Sequence, residues 1–384
     1  MILRSIPMAV LALLALPAFA APTIEERLSE LEKKVSALAA ENAALKKELG
    51  YSKDGKPPVF VAPAGKETKL VLGGFIHANG EFGDVPDARW AGISNRFFLR
   101  RARLNATATF GGDFLAKVEA DFGANTLGAS SGLRAQLTDG YLQWNKYAFS
   151  VVKVGQFKTP FGFEQLASDT KTHTIERSLP NDRLTFGRQI GVGVSGDVVE
   201  KRISYSVGAF NGSGVNTTTN DNDQMMWAGR VSGLVVDTKL GDTPLKWSVG
   251  TNALRTRDTG TGTAFSGVRK GLGIDTQVAI GSGDIWAEWL RGENRTTAGV
   301  VTKAEGYSLL AAYRITPKWQ GVVRYENYDS NTATTNTTTK VWTTGVNYLL
   351  RGEDLKLSLN YLIGDQPEGF DDGDRLIGRM QVLF

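Results

Sequence analysis

Arg101 and Arg103 stand two residues apart in a run where Ala102, Leu104, Ala106 and Ala108 fill the other parity and Asn105, Thr107 and Thr109 continue the polar set. In an extended strand that spacing sends the cations to one side and the apolar groups to the other. By the same parity Lys117, Arg230, Arg324 and Arg379 fall on polar faces elsewhere in the chain. A guanidinium presents a fork of donors that matches phosphate or carboxylate oxygens, whereas an ammonium is a compact point charge. Rings of such groups around a water-filled passage favour anions. A single cation is more often a solvated charge paired with a neighbouring Asp or Glu, so a cluster carries more weight than any one member.

A second set lies where the alternation stops. Between Gln156 and Arg188 the chain holds Lys158, Lys171, Arg177, Arg183 and Arg188 against Glu164, Asp169, Glu176 and Asp182. A connection of this length is functional or disordered, and the phenylalanines it carries favour burial. Folded into the mouth of a barrel, it would bury those rings and narrow the pore. Enzymatic chemistry finds little footing. His77 and His173 are the only histidines, no metal-ligand spacing joins them to carboxylates, and no Gly-rich phosphate loop precedes a helix. A barrel hydrolase would need a serine beside a histidine on one outer face, and His77 has none in its strand pattern. No catalytic residue, metal ligand or cofactor is therefore assigned.

The elements that position these residues follow from periodicity. Residues 1–20 read as an export signal, with Arg4, an apolar run from Ile6 to Leu16, and Ala18-Phe19-Ala20 before the cleavage point. Residues 23–49 follow a heptad. Ile24, Leu31, Leu38 and Leu45 fill one seam position, and Leu28, Val35, Asn42 and Leu49 the other. Arg27 with Glu32, and Glu41 with Lys46, have the spacing that pairs neighbouring chains, so a coiled coil is expected. Residues 50–69, with Pro57-Pro58, read as a linker.

From residue 70 to 384 the period is two. Phe114, Ala116, Val118, Ala120 and Phe122 oppose Lys117, Glu119 and Asp121; Tyr307, Leu309, Ala311, Tyr313 and Ile315 form a later apolar face. In the first run, Phe98 joins the apolar set and Arg100 breaks it, reaching back to the interface as long side chains can. No apolar stretch past the signal spans a bilayer as a helix. With 44 glycines, 12 prolines and no cysteine, the chain is no disulfide scaffold, and a net charge of +4 argues against nucleic acid as a partner. A sandwich would carry more large aliphatics on its inner faces. Aromatics towards the strand ends, short turns such as Gly281-Ser282-Gly283-Asp284 and long loops such as 211–223 and 330–339 fit a membrane barrel. The expected fold is all-β: a transmembrane antiparallel β-barrel of about 16 strands, preceded by an N-terminal coiled-coil helix.

Lys153-Val-Gly-Gln-Phe-Lys-Thr-Pro-Phe-Gly-Phe-Glu, Ala167-Ser168, Ile175-Glu-Arg-Ser-Leu-Pro, Phe98-Leu-Arg-Arg-Ala-Arg, Val323-Arg-Tyr, Gly345-Val-Asn-Tyr and the terminal Phe384 together resemble the phosphate-selective porin O/P family. The resemblance implies a homotrimer of 16-stranded outer-membrane porins, one pore per chain, with a loop folded inward at the constriction. It also implies arginines along the wall that draw anions to a central lysine. Lys171 best fits that lysine and Arg101 the wall series. The seam leucines by themselves favour two strands, so the oligomer number stays open here. The expected function is passive, anion-preferring diffusion of small solutes, with phosphate or polyphosphate as candidates and outer-membrane lipid as the surroundings. The alternative is a tether whose coiled coil engages the cell wall.

Overall fold

The computed structural model describes residues 24–48, 68–124, 133, 135–259 and 265–384. The export signal, 1–20, and the linker up to residue 67 lie outside the described residues. The chain divides into two units, residues 1–59 and 60–384.

The first unit contains helix α1 (Ile24–Glu48), which coincides with the heptad stretch. Leu28, Leu31, Val35 and Leu38 are all exposed on it.

In the second unit, sixteen antiparallel strands close into a barrel. They begin with β1 (Lys69–Gly83), β2 (Arg96–Phe110), β3 (Phe114–Asp121), β4 (Gln136–Tyr147), β5 (Ser150–Lys158) and β6 (Arg188–Val198). Next come β7 (Ile203–Phe210), β8 (Met226–Leu240), β9 (Thr243–Thr259), β10 (Ser266–Ile280) and β11 (Gly283–Thr296). The wall ends with β12 (Val301–Arg314), β13 (Trp319–Asp329), β14 (Thr338–Glu353), β15 (Leu355–Asp365) and β16 (Asp374–Leu383). Each strand pairs with its sequence neighbour, and β16 returns to β1 with Phe75 opposite Leu383 and Ala78 opposite Met380. Closure leaves no unpaired edge, as lipid demands. Connections at one end are short (111–113, 148–149, 281–282); those at the other are long (84–95, 159–187, 211–225, 366–373).

Outward residues follow the expected parity: Tyr307, Leu309, Tyr313, Leu357, Leu359 and Met380 are exposed, while Arg375, Arg379 and Gln381 are buried inside. One expectation is corrected. In β2 the register against β1 shifts, so that His77 faces Arg101 and Ala78 faces Leu99, leaving Arg100 as the extra residue of a bulge. The parity therefore flips there. Phe97 and Leu99 point outward, and Arg100 and Arg101 are both buried within, rather than Arg100 reaching the interface. The inner face also carries apolar packing, as burial of the loop's rings requires. Phe157, Phe161, Phe210, Met226, Leu254 and Leu290 form one apolar cluster inside the barrel, and Trp90, Ile93, Ile175, Val341, Leu362 and Ile377 form another. Inward-folded loops supply part of each.

Candidate pore constriction

The connection between β5 and β6 folds into the lumen. Its root is closed by Thr159, whose amide and hydroxyl both donate to the Gly187 carbonyl at 2.9 and 3.1 Å. Within it lie two short helices, α2 (Phe163–Leu166) and α3 (Leu179–Leu184). Ser178 caps α3, with its hydroxyl accepting from the Asn181 amide, and Pro180 fits the first turn, where its missing N–H costs nothing. Glu164 ties the two helices, accepting from the Ser178 amide at 3.0 Å and hydroxyl at 2.6 Å.

A band of wall side chains then satisfies the loop backbone. Glu288 on β11 accepts from the Phe163 and Glu164 amides, and Glu326 on β13 accepts from Leu179 at 2.5 Å. Asn347 donates to the His173 carbonyl at 2.8 Å, and Lys356 to Thr172 at 3.1 Å. Asn360 accepts from Ile175 at 2.7 Å, and Gln381 donates to Thr170 at 3.0 Å. Such partners are obligatory for backbone buried away from water. Wall glycines provide sockets: a Cβ on Gly271 would stand 2.5 Å from the Phe161 ring, and one on Gly306 would stand 2.8 Å from Pro180.

Charge fixes the loop as well. Glu176 takes both Arg100 Nε and Nη2 at 3.0 Å and Arg379 Nη2 at 2.6 Å. Asp169 meets Arg103 at 2.7 Å, Arg177 at 2.7 Å and Arg101 at 3.3 Å. Burial alone would raise both carboxyls; for Glu176, Arg100 and Arg379 outweigh it, and for Asp169, Arg101, Arg177 and Arg103 do, so both sit well below the ordinary carboxylate range. Arg324 pairs with Glu326 at 2.6 Å and Glu164 at 3.3 Å, and donates to Thr174 and to the Glu176 carbonyl.

Residues 79–384 match the family described as phosphate-selective porin O and P. The chain belongs to that family. No curated protein sequence matches it. Its fold is shared with the anion-selective porin from Comamonas acidovorans, at a TM-score of 0.60 and 16% identity over 83% of this chain and 100% of that one. The outer membrane channel DcaP of Acinetobacter baumannii gives 0.58 and 16% over 85% and 99%. OmpT of Vibrio cholerae in its trimer form gives 0.57 and 12% over 83% and 100%. The protein is an outer-membrane porin with a closed sixteen-strand barrel.

Within this porin the expected site residues divide into several places. Arg101, Arg103, Arg177 and Arg188 come together around a cavity of about 260 Å³, joined by Arg89 and Arg100, which sequence reasoning left out of the site. Lys117 is not on that cavity; it stands 3.1 Å from Asp139 and 3.4 Å from Glu119, sharing both with Arg188. Lys158 lines a different cavity, of about 280 Å³, and with it stands Lys153, which was not singled out although it opens the family-like motif. Arg230 is held by Asp275 and lies over the Phe163 ring, while Arg324 serves the loop backbone. Arg183 is exposed on α3, beside a vestibule of about 970 Å³ that it shares with Asp84, Asp371 and Asp372. Lys171 is exposed and forms no ion pair among the described residues. His77 is buried inside the wall against Gln381 at 2.8 Å, the place of a polar wall residue.

Proposed function

We propose that this porin passes small solutes by diffusion with a moderate preference for anions. One observation carries the reading: the cavity beside the constriction loop is lined by six arginines (Arg89, Arg100, Arg101, Arg103, Arg177 and Arg188) against three carboxylates (Asp169, Glu176 and Asp182). Arg100 Nη1 and Arg101 Nε are buried and have no hydrogen-bond partner among the described residues, so not every guanidinium donor of the cluster is spent on a carboxylate. A positive surface bordered by low-dielectric walls raises the local anion concentration. Asp87, Asp121, Glu119 and Asp139 stand behind the same arginines and offset their formal charge, so the preference rests on the guanidinium groups lying nearer the cavity than these carboxylates, and it is moderate.

Phosphate and polyphosphate are candidate solutes, supported by the family description and by guanidinium forks suited to their oxygens. The layout of export signal 1–20, coiled coil 23–49, linker 50–69 and barrel 70–384 belongs to the same reading. We also propose a homotrimer whose α1 helices associate, since four seam residues of α1 are exposed in the single chain. Reversal potentials across planar bilayers under a salt gradient test the function. A potential of the anion-selective sign supports it, and a cation-selective potential refutes it.

A further inference from the structure

We infer that the second lysine-bearing cavity, between the loop root and strands β4 to β7, is a binding subsite for small organic carboxylates with an apolar body rather than for inorganic phosphate. The inference rests on the anion-preferring reading only in that an anion must be admitted to reach the site.

The cavity measures about 280 Å³ and combines two ammonium groups, Lys153 and Lys158, with the apolar surfaces of Tyr141, Phe157 and Leu166 and the hydroxyl of Ser195. Among the described residues neither lysine has a carboxylate partner. Lys158 Nζ donates only to the carbonyls of Ala167 at 2.9 Å and Leu166 at 3.5 Å. Lys153 Nζ faces rings alone, 4.4 Å from the centre of Tyr141 and 5.3 Å from that of Phe157. The one acid on the lining, Asp139, is taken by Arg188 at 2.6 Å and Lys117 at 3.1 Å. The site therefore offers the Lys153 ammonium, unpaired by any carboxylate among the described residues, beside apolar walls.

That combination selects by chemistry. Phosphate is strongly hydrated, and setting its oxygens against Phe157 and Leu166 would strip water without replacement. A carboxylate on a ring or short alkyl chain places its charge at the lysines and its body on the apolar walls, so both halves gain. The cavity has room for a molecule of benzoate size. By contrast, the arginine-lined cavity beside the loop is predominantly polar in its surroundings, so the two sites differ in the solutes they retain.

The test is block of chloride current through the full-length porin in planar bilayers by benzoate, acetate and inorganic phosphate. Benzoate is expected to block at a concentration about tenfold below phosphate, with acetate between them. Lys153→Gln should weaken benzoate block about tenfold and Lys153→Arg about twofold or less. Leu166→Ser, which leaves both lysines in place, should weaken benzoate block while phosphate block stays within about twofold. If Lys153→Gln forms no channels, the solute order and Leu166→Ser decide alone. Phosphate blocking as well as benzoate, or benzoate block indifferent to both Lys153→Gln and Leu166→Ser, overturns the inference. A cation-selective reversal potential would instead remove the anion-preferring reading, so the two failures are distinct.

Discussion

Along β16 and β2, the cations of the barrel wall reach buried carboxylates: Arg379 and Arg100 hold Glu176, and Arg101 and Arg103 hold Asp169. Along β5, Lys153 and Lys158 reach only rings and carbonyl groups among the described residues. The first group is part of the fold, because its charges position the loop that narrows the pore. The second has charge to spare. Counting cations in the lumen therefore overstates the number of anion sites, and the partner of each cation is the better guide. Arg101 and Arg103, placed on a polar face by parity, hold the loop as well as lining the arginine cavity.

The comparison breaks most visibly if an anchoring carboxylate is removed. Glu176→Ala leaves Arg100 and Arg379 buried without their partner, at a cost to loop docking of roughly 3–5 kcal/mol. Single-channel conductance should rise, and a protease should cut within residues 159–187 in micelles. Unchanged conductance and a protected loop would mean that the backbone contacts from Asn360, Asn347 and Gln381 suffice. Gly271→Val comes next. The added side chain meets the Phe161 ring, and overpacking of this kind costs about 1–3 kcal/mol. The expected result is the same rise in conductance to a smaller extent, and a rise equal to that of Glu176→Ala would show that packing rather than charge dominates.

Acid probes the same anchors without mutation. Burial raises the Glu176 and Asp169 carboxyls, but their arginine partners lower them by more, so the docked form holds these groups ionised well below the undocked carboxylate range. A depressed value of this kind stabilises docking fully above the undocked pKa, near 4, and the contribution is lost as pH falls towards the docked value. Conductance should stay level from pH 7 to about 5 and change only below about 4. A transition near neutrality would point to groups other than these two.

The outward face of the barrel was legible because lipid imposes one requirement on every second residue, and Tyr307, Leu309, Leu357 and Met380 obey it without reference to their neighbours. The limits of the constriction loop were legible for the converse reason, since the alternation fails between Gln156 and Arg188. Its interior partners were not. Glu288, Asn360 and Gln381 touch residues far away in the chain, and nothing local distinguishes a glutamate that accepts loop amides from one that meets water. The bulge at Arg100 had a faint signal, an Arg-Arg pair with Phe97 and Leu99 on one parity and Ala102 and Leu104 on the other. Strict alternation over the whole run hid it. Gly271 and Gly306 carry meaning only once Phe161 and Pro180 are set against them. Lys153 sits in the motif that carried the resemblance, yet its value comes from what it lacks, a carboxylate partner, and absence of a partner is a property of the fold.

The smallest expected effect belongs to the residue that sequence resemblance placed at the centre. Lys171 is exposed, and its charge acts through water that screens it within about 8 Å at physiological salt. Lys171→Glu reverses that charge without disturbing an ion pair, so the anion-to-cation permeability ratio should fall by about twofold at low salt and less at high salt. Arg188→Gln, which empties one position on the arginine cavity, gives the reference for a partly buried cation. If Lys171→Glu instead abolishes anion preference at both salt concentrations, the exposed lysine contacts the permeating ion directly. Selectivity would then lie at the exposed Lys171 segment of the loop rather than in the arginine cavity along its side.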